Sequence, residues 1–221
     1  MSIRMHTIRI EGRSRRRRVD GLSLEARMAG ISVFNSVTLD GVMQAPGGKE
    51  EDTRDGFPYG GWAGPYNDQV KGQVAGEGMS KRGGLLFGRR TYEHMYKAWH
   101  GRTDPNPFTK VLDETPKFVA SNTLKEPLQW ENSTLLQGDA ADAVAKLKHE
   151  SSMDFTILGS GVLIQSLLRR NLIDQFILSI HPLVLGTGRR MFADDGTFAK
   201  FKMTRSVPTT TGVIIAFYEL T

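Results

Sequence analysis

The segment TILGSGVLIQSLL, residues 156–168, changes from a strand-like to a helix-like hydrophobic pattern at one tight turn. A short apolar run of strand type precedes the sequence Gly159-Ser160-Gly161, and the apolar residues that follow it recur with the spacing of a helix face. The first amides of a helix have no partners inside the helix, and the helix dipole adds partial positive charge at that end. Glycines also let a phosphate approach the backbone without a Cβ in the way. The segment therefore indicates either an ordinary strand-to-helix turn or a cradle for a phosphate group.

The turn lacks the full fingerprint of a Rossmann dinucleotide site. That fingerprint needs a third glycine three residues after Gly161, where Ile164 stands, and an acidic ribose ligand about 20 residues further on. A standard Rossmann NAD site is therefore disfavoured. Ser160 retains two possible roles, because its hydroxyl suits both the cap of a helix and a bond to a phosphate.

The composition is that of a single globular domain. The chain has 221 residues, of which 39% are hydrophobic and 9% aromatic, and no apolar run approaches the roughly 20 residues needed to cross a bilayer. Cysteine is absent, which excludes disulfides, thiolate zinc sites and cysteine nucleophiles and fits a reducing compartment. We predict a cytoplasmic protein that binds no metal and no membrane.

The net charge of +5 belongs entirely to the N-terminal segment. Residues 1–28 hold eight arginines against three acidic residues, whereas the remaining residues carry equal numbers of basic and acidic groups. This segment is predicted to be a disordered, arginine-rich extension, followed by one domain over residues 29–221. It is a nucleic-acid or targeting arm, a solvated extension, or translated sequence upstream of a true start at Met28. Because the domain itself is neutral, we predict no nucleic-acid partner.

The domain alternates between strand-like and helix-like segments before it ends in strands. Strands are predicted from the β-rich runs at 31–41, 84–88, 117–121, 133–137, 154–158, 175–186, 201–207 and 211–220. Helices are predicted at 66–82, 91–99 and 139–150, and a fourth is predicted to follow Gly161. Alternation followed by a meander predicts an α/β fold, with a mixed, mostly parallel sheet of about eight strands and an antiparallel C-terminal hairpin.

Three short polar segments follow three of the predicted strands. They are 88–93 (GRRTYE), 121–123 (SNT) and 159–161 (GSG). In an open α/β sheet, ligands bind beyond the carboxyl ends of the strands, so these segments are expected to meet at one edge. Together they offer guanidinium groups, hydroxyls and two helix N-termini, which suits several phosphates. An arginine beside hydroxyls fits a 2′-phosphate and favours NADPH over NADH.

Six motifs in order resemble the dihydrofolate reductase superfamily. More closely they resemble stand-alone relatives of the pyrimidine reductase domain, which is the C-terminal part of the bifunctional deaminase-reductase of riboflavin biosynthesis. The motifs are SVTLDGVM, GGWAGPY, LFGRRTYE, ASNT, ILGSGVLIQSLL and HPLVLGTGRRMF, and they span roughly residues 30–220. The resemblance implies a dihydrofolate reductase-like three-layer sandwich with NADPH as cofactor.

The resemblance also assigns residues to that cofactor. Arg89 and Thr91 match positions that hold the adenosine 2′-phosphate and the pyrophosphate, and Ser121 and Asn122 match the 2′-phosphate side. The pyrophosphate loop is matched by Gly159, Ser160, Gly161 and Val162. The segment that passes the nicotinamide is matched by Val37, Asp40 and Gly41.

The source of the catalytic proton is less clearly matched. Dihydrofolate reductases use a buried carboxylate near the start of their first long helix, where this chain reads NDQVKGQVAGEG and Asp68 is the nearest acid. Asp40 is a second candidate, which either takes part in catalysis or only stabilises its Asp-Gly turn. His181, beside Pro182, is expected to be structural.

The implied activity is hydride transfer to a small molecule of the pterin or ribosylaminopyrimidine type, as in 5-amino-6-(5-phosphoribosylamino)uracil reductases. Substrate phosphate could be held by basic residues, for which the candidates are Lys49, Arg54, Arg189 and Arg190. Without cysteine the chain cannot contain the zinc deaminase of that pathway. The alternative is a non-catalytic, nucleotide-binding dimeric protein on the same fold.

The two C-terminal segments QFILSIHPLVL and TGVIIAFYEL are more apolar than one sheet face needs. Long strands with bare edges invite pairing with another chain. The resemblance to dimeric reductases points the same way, so we predict a homodimer built partly on these strands.

Overall fold

A computed structural model of the chain describes residues 28–79, 83–103 and 107–221. The predicted extension over residues 1–28 lies outside this range except for Met28. No helix within the described ranges is long and apolar enough to cross a membrane.

Eight strands form one sheet in the order β4-β3-β2-β5-β1-β6-β8-β7. The strands are β1 (Ile31–Thr38), β2 (Gly84–Gly88), β3 (Lys117–Ala120), β4 (Ser133–Leu136), β5 (Phe155–Ile157), β6 (Gln175–His181), β7 (Phe201–Pro208) and β8 (Ile214–Leu220). The first six are mutually parallel, and β8 runs antiparallel to both β6 and β7. The predicted mixed sheet with an antiparallel C-terminal hairpin is confirmed.

The described residues contain five α-helices, one more than predicted. They are α1 (Gln69–Met79), α2 (Arg89–Trp99), α3 (Pro107–Glu114), α4 (Ala140–Glu150) and α5 (Gly161–Arg169). The missed helix is α3, which begins at a proline, a residue suited to the first turn of a helix. The predicted long strand over 175–186 ends earlier, at His181, because Pro182 has no amide hydrogen to continue the ladder.

The helices cover both faces of the sheet. Leu85 and Phe87 of β2 belong to one apolar cluster with side chains of α2 and α3, whereas Leu86 belongs to another with side chains of α4 and α5. Successive strand residues point to opposite faces, so the two helix pairs lie on opposite sides. This is the predicted three-layer sandwich, and it brings the carboxyl ends of the parallel strands to one edge.

Candidate functional site

A cavity of about 740 Å³ opens at this carboxyl edge of the sheet. Its walls come from the loop after β1, the start of α2, the turn between β5 and α5, and the loop after β6. These walls comprise 43–45, 50–54, 88–91, 93–95, Ala120, Ala140, 158–163, 165–166 and 189–190. Two helix N-termini and five arginines line the same space, which suits a ligand with several anionic groups.

The turn between β5 and α5 has an unusual backbone. Gly159 and Ser160 both take left-handed conformations, with φ of 57° and 58°. Asn35, a buried residue of β1, fixes this geometry from below, because its Nδ2 donates to the Gly159 carbonyl at 3.0 Å and its Oδ1 accepts from the Gly159 amide at 2.6 Å. The cradle is therefore supported by a side chain from the neighbouring strand.

Ser160 joins the starts of α2 and α5. Its Oγ accepts from the Gly88 amide at 3.0 Å and donates to the Leu158 carbonyl at 3.1 Å, while its own amide donates to Oγ1 of Thr91 at 2.9 Å. The hydroxyl therefore points into the protein and caps no helix amide. The cap anticipated for Ser160 is not formed on α5, and its hydroxyl instead helps to hold the two helix ends side by side.

The first amides of α5 are available to a ligand. The first backbone bond back along this helix runs from the Ile164 amide to the Ser160 carbonyl, so the amides of 161–163 have no partner inside the helix. At the start of α2, Arg89 lies half-exposed and pairs with Glu93 at 3.1 Å, an exposed pair that a phosphate can displace at little cost. Arg90 beside it adds a second guanidinium group.

The structure brings six of the predicted cofactor residues together at the cavity, namely Arg89, Thr91, Gly159, Ser160, Gly161 and Val162. The others lie outside its lining. Ser121 accepts from the amides of Thr123 and Leu124, and Asn122 accepts from the Gly138 amide, so both side chains are engaged within their own loop.

Val37 and Gly41 lie on the other side of the cradle. Val37 packs into the main core with 6% of its surface exposed. Gly41 forms a turn with φ of 79°, a conformation that favours glycine. Val37 lies near the end of β1 and Gly41 lies just after it, next to the cavity wall at 43–45.

Asp40 ties two loops together. Its carboxylate accepts from the Thr38 hydroxyl at 2.5 Å and from the amides of Leu185 and Gly186 at 3.3 and 2.9 Å. The Thr38 bond is the main cause of the lowered pKa of Asp40, and the two backbone amides add to it. The carboxyl is thus ionised and engaged outside the cavity lining, which fits the turn-stabilising alternative.

Asp68 is the N-terminal cap of α1. One carboxylate oxygen accepts from the Lys71 amide at 2.8 Å, and the other accepts from the amide and hydroxyl of Thr210 at 2.8 and 2.9 Å. The bond from the Lys71 amide is the main cause of the lowered pKa of Asp68. An ionised carboxylate bound at both oxygens holds a helix start to the β7–β8 turn and is poorly suited to donate a proton.

The wall opposite the cradle is a network of charges that sequence reasoning only partly anticipated. Arg54 is paired with Asp52 and Arg189 with Asp55. Burial opposes the Asp52 charge, but hydrogen bonds from Arg54 outweigh it, so the pKa of Asp52 is lowered.

Gln44 links the two loops that form this wall by hydrogen bonds to their backbones. It is 3% exposed, donates to the carbonyls of Asp52 and Arg54, and accepts from the Arg189 amide at 2.9 Å. The residue stands in a loop where the sequence alone gives no pattern.

The chain matches the sequence model described as the RibD C-terminal domain over residues 30–215. It is similar to the uncharacterized protein YyaP of Bacillus subtilis (strain 168), with 29% identity over 139 residues, 61% of this chain and 72% of that protein. It is also similar to the uncharacterized protein YwjB of the same organism, with 28% identity over 49% of this chain and 57% of that protein.

Solved structures share the fold. A protein of Shewanella sp. PV-4, provisionally named a riboflavin biosynthesis protein, superposes with a TM-score of 0.62 at 24% identity, covering 87% of this chain and 99% of that one. Dihydrofolate reductase of Enterococcus faecalis, solved with NADP(H), superposes with a TM-score of 0.54 at 15% identity, covering 86% and 94%. A pyrimidine reductase-like protein of Corynebacterium diphtheriae gives 0.54 at 13%, covering 87% and 92%.

Proposed function

The chain belongs to the RibD C-terminal domain family, and from that premise we propose that it is an NADPH-dependent reductase. Its substrate is a small heterocycle of the ribosylaminopyrimidine or pterin type. The observation that carries the proposal is the cradle, in which Ser160 and Thr91 hold two helix N-termini side by side above a 740 Å³ cavity. Paired helix N-termini with adjacent arginines are suited to a pyrophosphate and one further phosphate.

The residues present fit NADPH. The amides of 161–163 would bind the pyrophosphate. Gly161 lets Met43 pack against the start of α5, because a Cβ there would come within 2.8 Å of Met43 Sδ. Arg89 and Arg90 would hold the 2′-phosphate. When bound, the nicotinamide supplies the hydride, while the protein's part is to align the rings and to keep water out of the pocket.

Replacing Arg89 by alanine should weaken NADPH binding by about 1.5–3 kcal/mol, the range for a hydrogen bond to a charged group, and should hardly change NADH binding. Titration calorimetry with both cofactors measures the difference. Arg170→Ala is the matched control, because Arg170 also pairs with a carboxylate, Asp142, at 2.7 Å but lies at the far end of α5. Equal losses for both cofactors would remove Arg89 from the 2′-phosphate site.

The reductase itself is tested by following NADPH absorbance with 5-amino-6-(5-phosphoribosylamino)uracil and with 7,8-dihydrofolate. Consumption of NADPH with either compound supports the proposal. Tight NADPH binding without turnover of either compound would favour the nucleotide-binding protein without catalysis.

We also propose that the protein is a homodimer through the β8–β7 side of the sheet. Strand β7 is the edge strand and pairs only with β8 among the described strands, and most of its residues are exposed. Ile214 at the start of β8 is 48% exposed and Met203 on β7 is 55% exposed, whereas Ile215 is fully buried. A second copy would cover these apolar side chains and the open edge.

Ile214→Glu should therefore give a folded monomer, because a charge at an apolar interface loses its water without gaining a partner. Light scattering at micromolar concentration measures the mass of each variant. Thr134→Glu, at an exposed position of β4 on the opposite edge of the sheet, should leave the dimer intact. A single-chain mass for the unmodified protein would refute the dimer.

A further inference from the structure

A second polar cluster lies next to the cavity wall and is not used by the cradle. Lys71 is half-buried on the first turn of α1, and its Nζ lies 3.5 Å from Nε2 of His181 and 3.3 Å from Oδ1 of Asn67. His181 is the last residue of β6 and is fully buried. An ammonium group has three hydrogens to donate, so these two neighbours leave it with donor capacity.

The geometry fixes the protonation state of His181. Its Nδ1 lies 2.9 Å from the Ser179 carbonyl oxygen and 3.4 Å from that of Val37, and because both are acceptors, Nδ1 carries the hydrogen. Nε2 is then free to accept from Lys71. Burial and the charge of Lys71 both lower the pKa of His181, so the ring is neutral. The pair carries one positive charge, on Lys71.

The other groups around this pair are one carboxylate and two aromatic rings. Asp68, the cap residue three positions before Lys71, is the acidic group that acts on Lys71, and its oxygens bind the amides of Lys71 and Thr210. Tyr66 and Trp62 pack against His181 with their rings nearly perpendicular to the imidazole and centroids 5.5 and 5.0 Å away. Burial lowers the pKa of Lys71, and Asp68 opposes that shift.

The cluster lies where the reacting end of the cofactor is expected. Strand β1 separates β5, which carries the cradle, from β6, which carries His181, so the two sites are two strand spacings, about 10 Å, apart. Arg89 and Arg90, the proposed 2′-phosphate site, lie on the opposite side of the cradle, at the end of β2. The cluster is also joined to the cavity wall, because Trp62 Nε1 donates to the Gln44 carbonyl at 2.7 Å.

We infer that Lys71, held in place by neutral His181, is a specificity-determining residue that faces the substrate ring. A fixed ammonium group binds carbonyl oxygens and anionic ring nitrogens, and it repels amino and protonated amidine groups. The site therefore selects a dioxo edge of a heterocycle over a diamino edge. This inference rests on the proposed function, since it assumes that the substrate ring lies beside the nicotinamide.

Two probes of similar size test whether the site prefers a dioxo edge or a diamino edge. Pteridine-2,4-dione presents the oxo edge and 2,4-diaminopteridine the amino edge of the same bicyclic ring. Both are titrated by fluorescence into the full chain, with and without saturating NADP⁺. We expect the unmodified protein to prefer the dione by about tenfold or more, as for one hydrogen bond to a charged group.

Substitutions at Lys71 then identify the cause of the preference. Lys71→Met should remove it, Lys71→Arg should retain it, and Lys71→Glu should reverse it. Lys146→Met, on α4 at the opposite face of the sheet, is the matched control and should change nothing. Thermal unfolding of each variant shows whether the fold is kept. If Lys71→Met unfolds, the ring preference of Lys71→Arg still tests the inference.

Equal affinity for the two rings, an unchanged preference in Lys71→Met, or no binding of either ring would overturn the inference. Each of these outcomes is separate from failure of the proposed function, which would appear as loss of NADP⁺ binding to the unmodified protein. A ring preference that follows Lys71 in the absence of NADP⁺ binding would keep the specificity residue and reject the reductase.

Discussion

Replacing Gly161 by valine should reduce NADPH affinity at least about 100-fold while the protein stays folded. The amides at the start of α5 are the proposed pyrophosphate site, and two lost hydrogen bonds to a charged group account for a loss of this size. A Cβ at Gly161 would already come within 2.8 Å of Met43 Sδ, so the valine side chain must push Met43 aside and would crowd the amides at the start of α5. The flexible end of Met43 can shift, which is why the fold itself should tolerate the change.

Gly161→Ala should give an intermediate loss, because it adds one carbon instead of three. Gly72→Val is the control: Gly72 also lies in a helix, and a Cβ there meets nothing within 4 Å. Calorimetric titration measures the affinities and circular dichroism the fold. Unchanged NADPH affinity in a folded Gly161→Val protein would place the pyrophosphate elsewhere.

The local part of this site could be read from the sequence. A strand, a glycine turn and a helix start within 13 residues are determined by short-range preferences, and the segment 156–168 folds as that pattern predicts. The start of α2 at Arg89 follows from the same pattern after β2. Parallel strands then bring both helix starts to one edge, so the meeting of these two segments was predictable from topology alone.

The groups that fix the geometry could not be read in this way. Asn35 lies 124 residues from Gly159 in the chain, and Lys71 lies 110 residues from His181. Contacts over such separations depend on how the sheet is assembled, and a single sequence carries no signal for them. Asn35 is the one residue of these for which the strand pattern gives a hint. The side chains of β1 alternate between buried and half-buried, and Asn35 is a polar residue at a buried position.

The two candidate acids, Asp40 and Asp68, are a different case. Asp68 is only the acid nearest to the position that the resemblance expects, and Asp40 had a turn-stabilising alternative; in the structure both carboxylates accept from backbone amides. An aspartate before a turn or a helix has this competing role by its nature, since its short side chain reaches nearby amides. Position in the sequence could not distinguish the two uses.

Asn35→Leu should lower both stability and cofactor affinity. Leucine is similar in size but can bond neither the amide nor the carbonyl of Gly159, and each buried group left without a partner costs about 1–3 kcal/mol. We expect a loss of about 2–4 kcal/mol in the free energy of unfolding. NADPH affinity should fall about tenfold, because Gly159 and Ser160 would no longer be held in the left-handed conformation that aims the α5 amides at the cavity.

Asn122→Leu separates this support from the general cost of losing an asparagine. Asn122 also accepts a bond from a glycine amide, that of Gly138 at 2.8 Å, but it is exposed and water can replace it there, so its loss should cost little stability. Urea unfolding gives the stability, and cofactor titration well below the melting temperature gives the affinity of the folded state alone. If Asn35→Leu lost stability but kept full NADPH affinity, the left-handed turn would be maintained by Thr91 and Ser160 without help from β1. The cradle would then be a property of the two helix ends and not of the sheet beneath them.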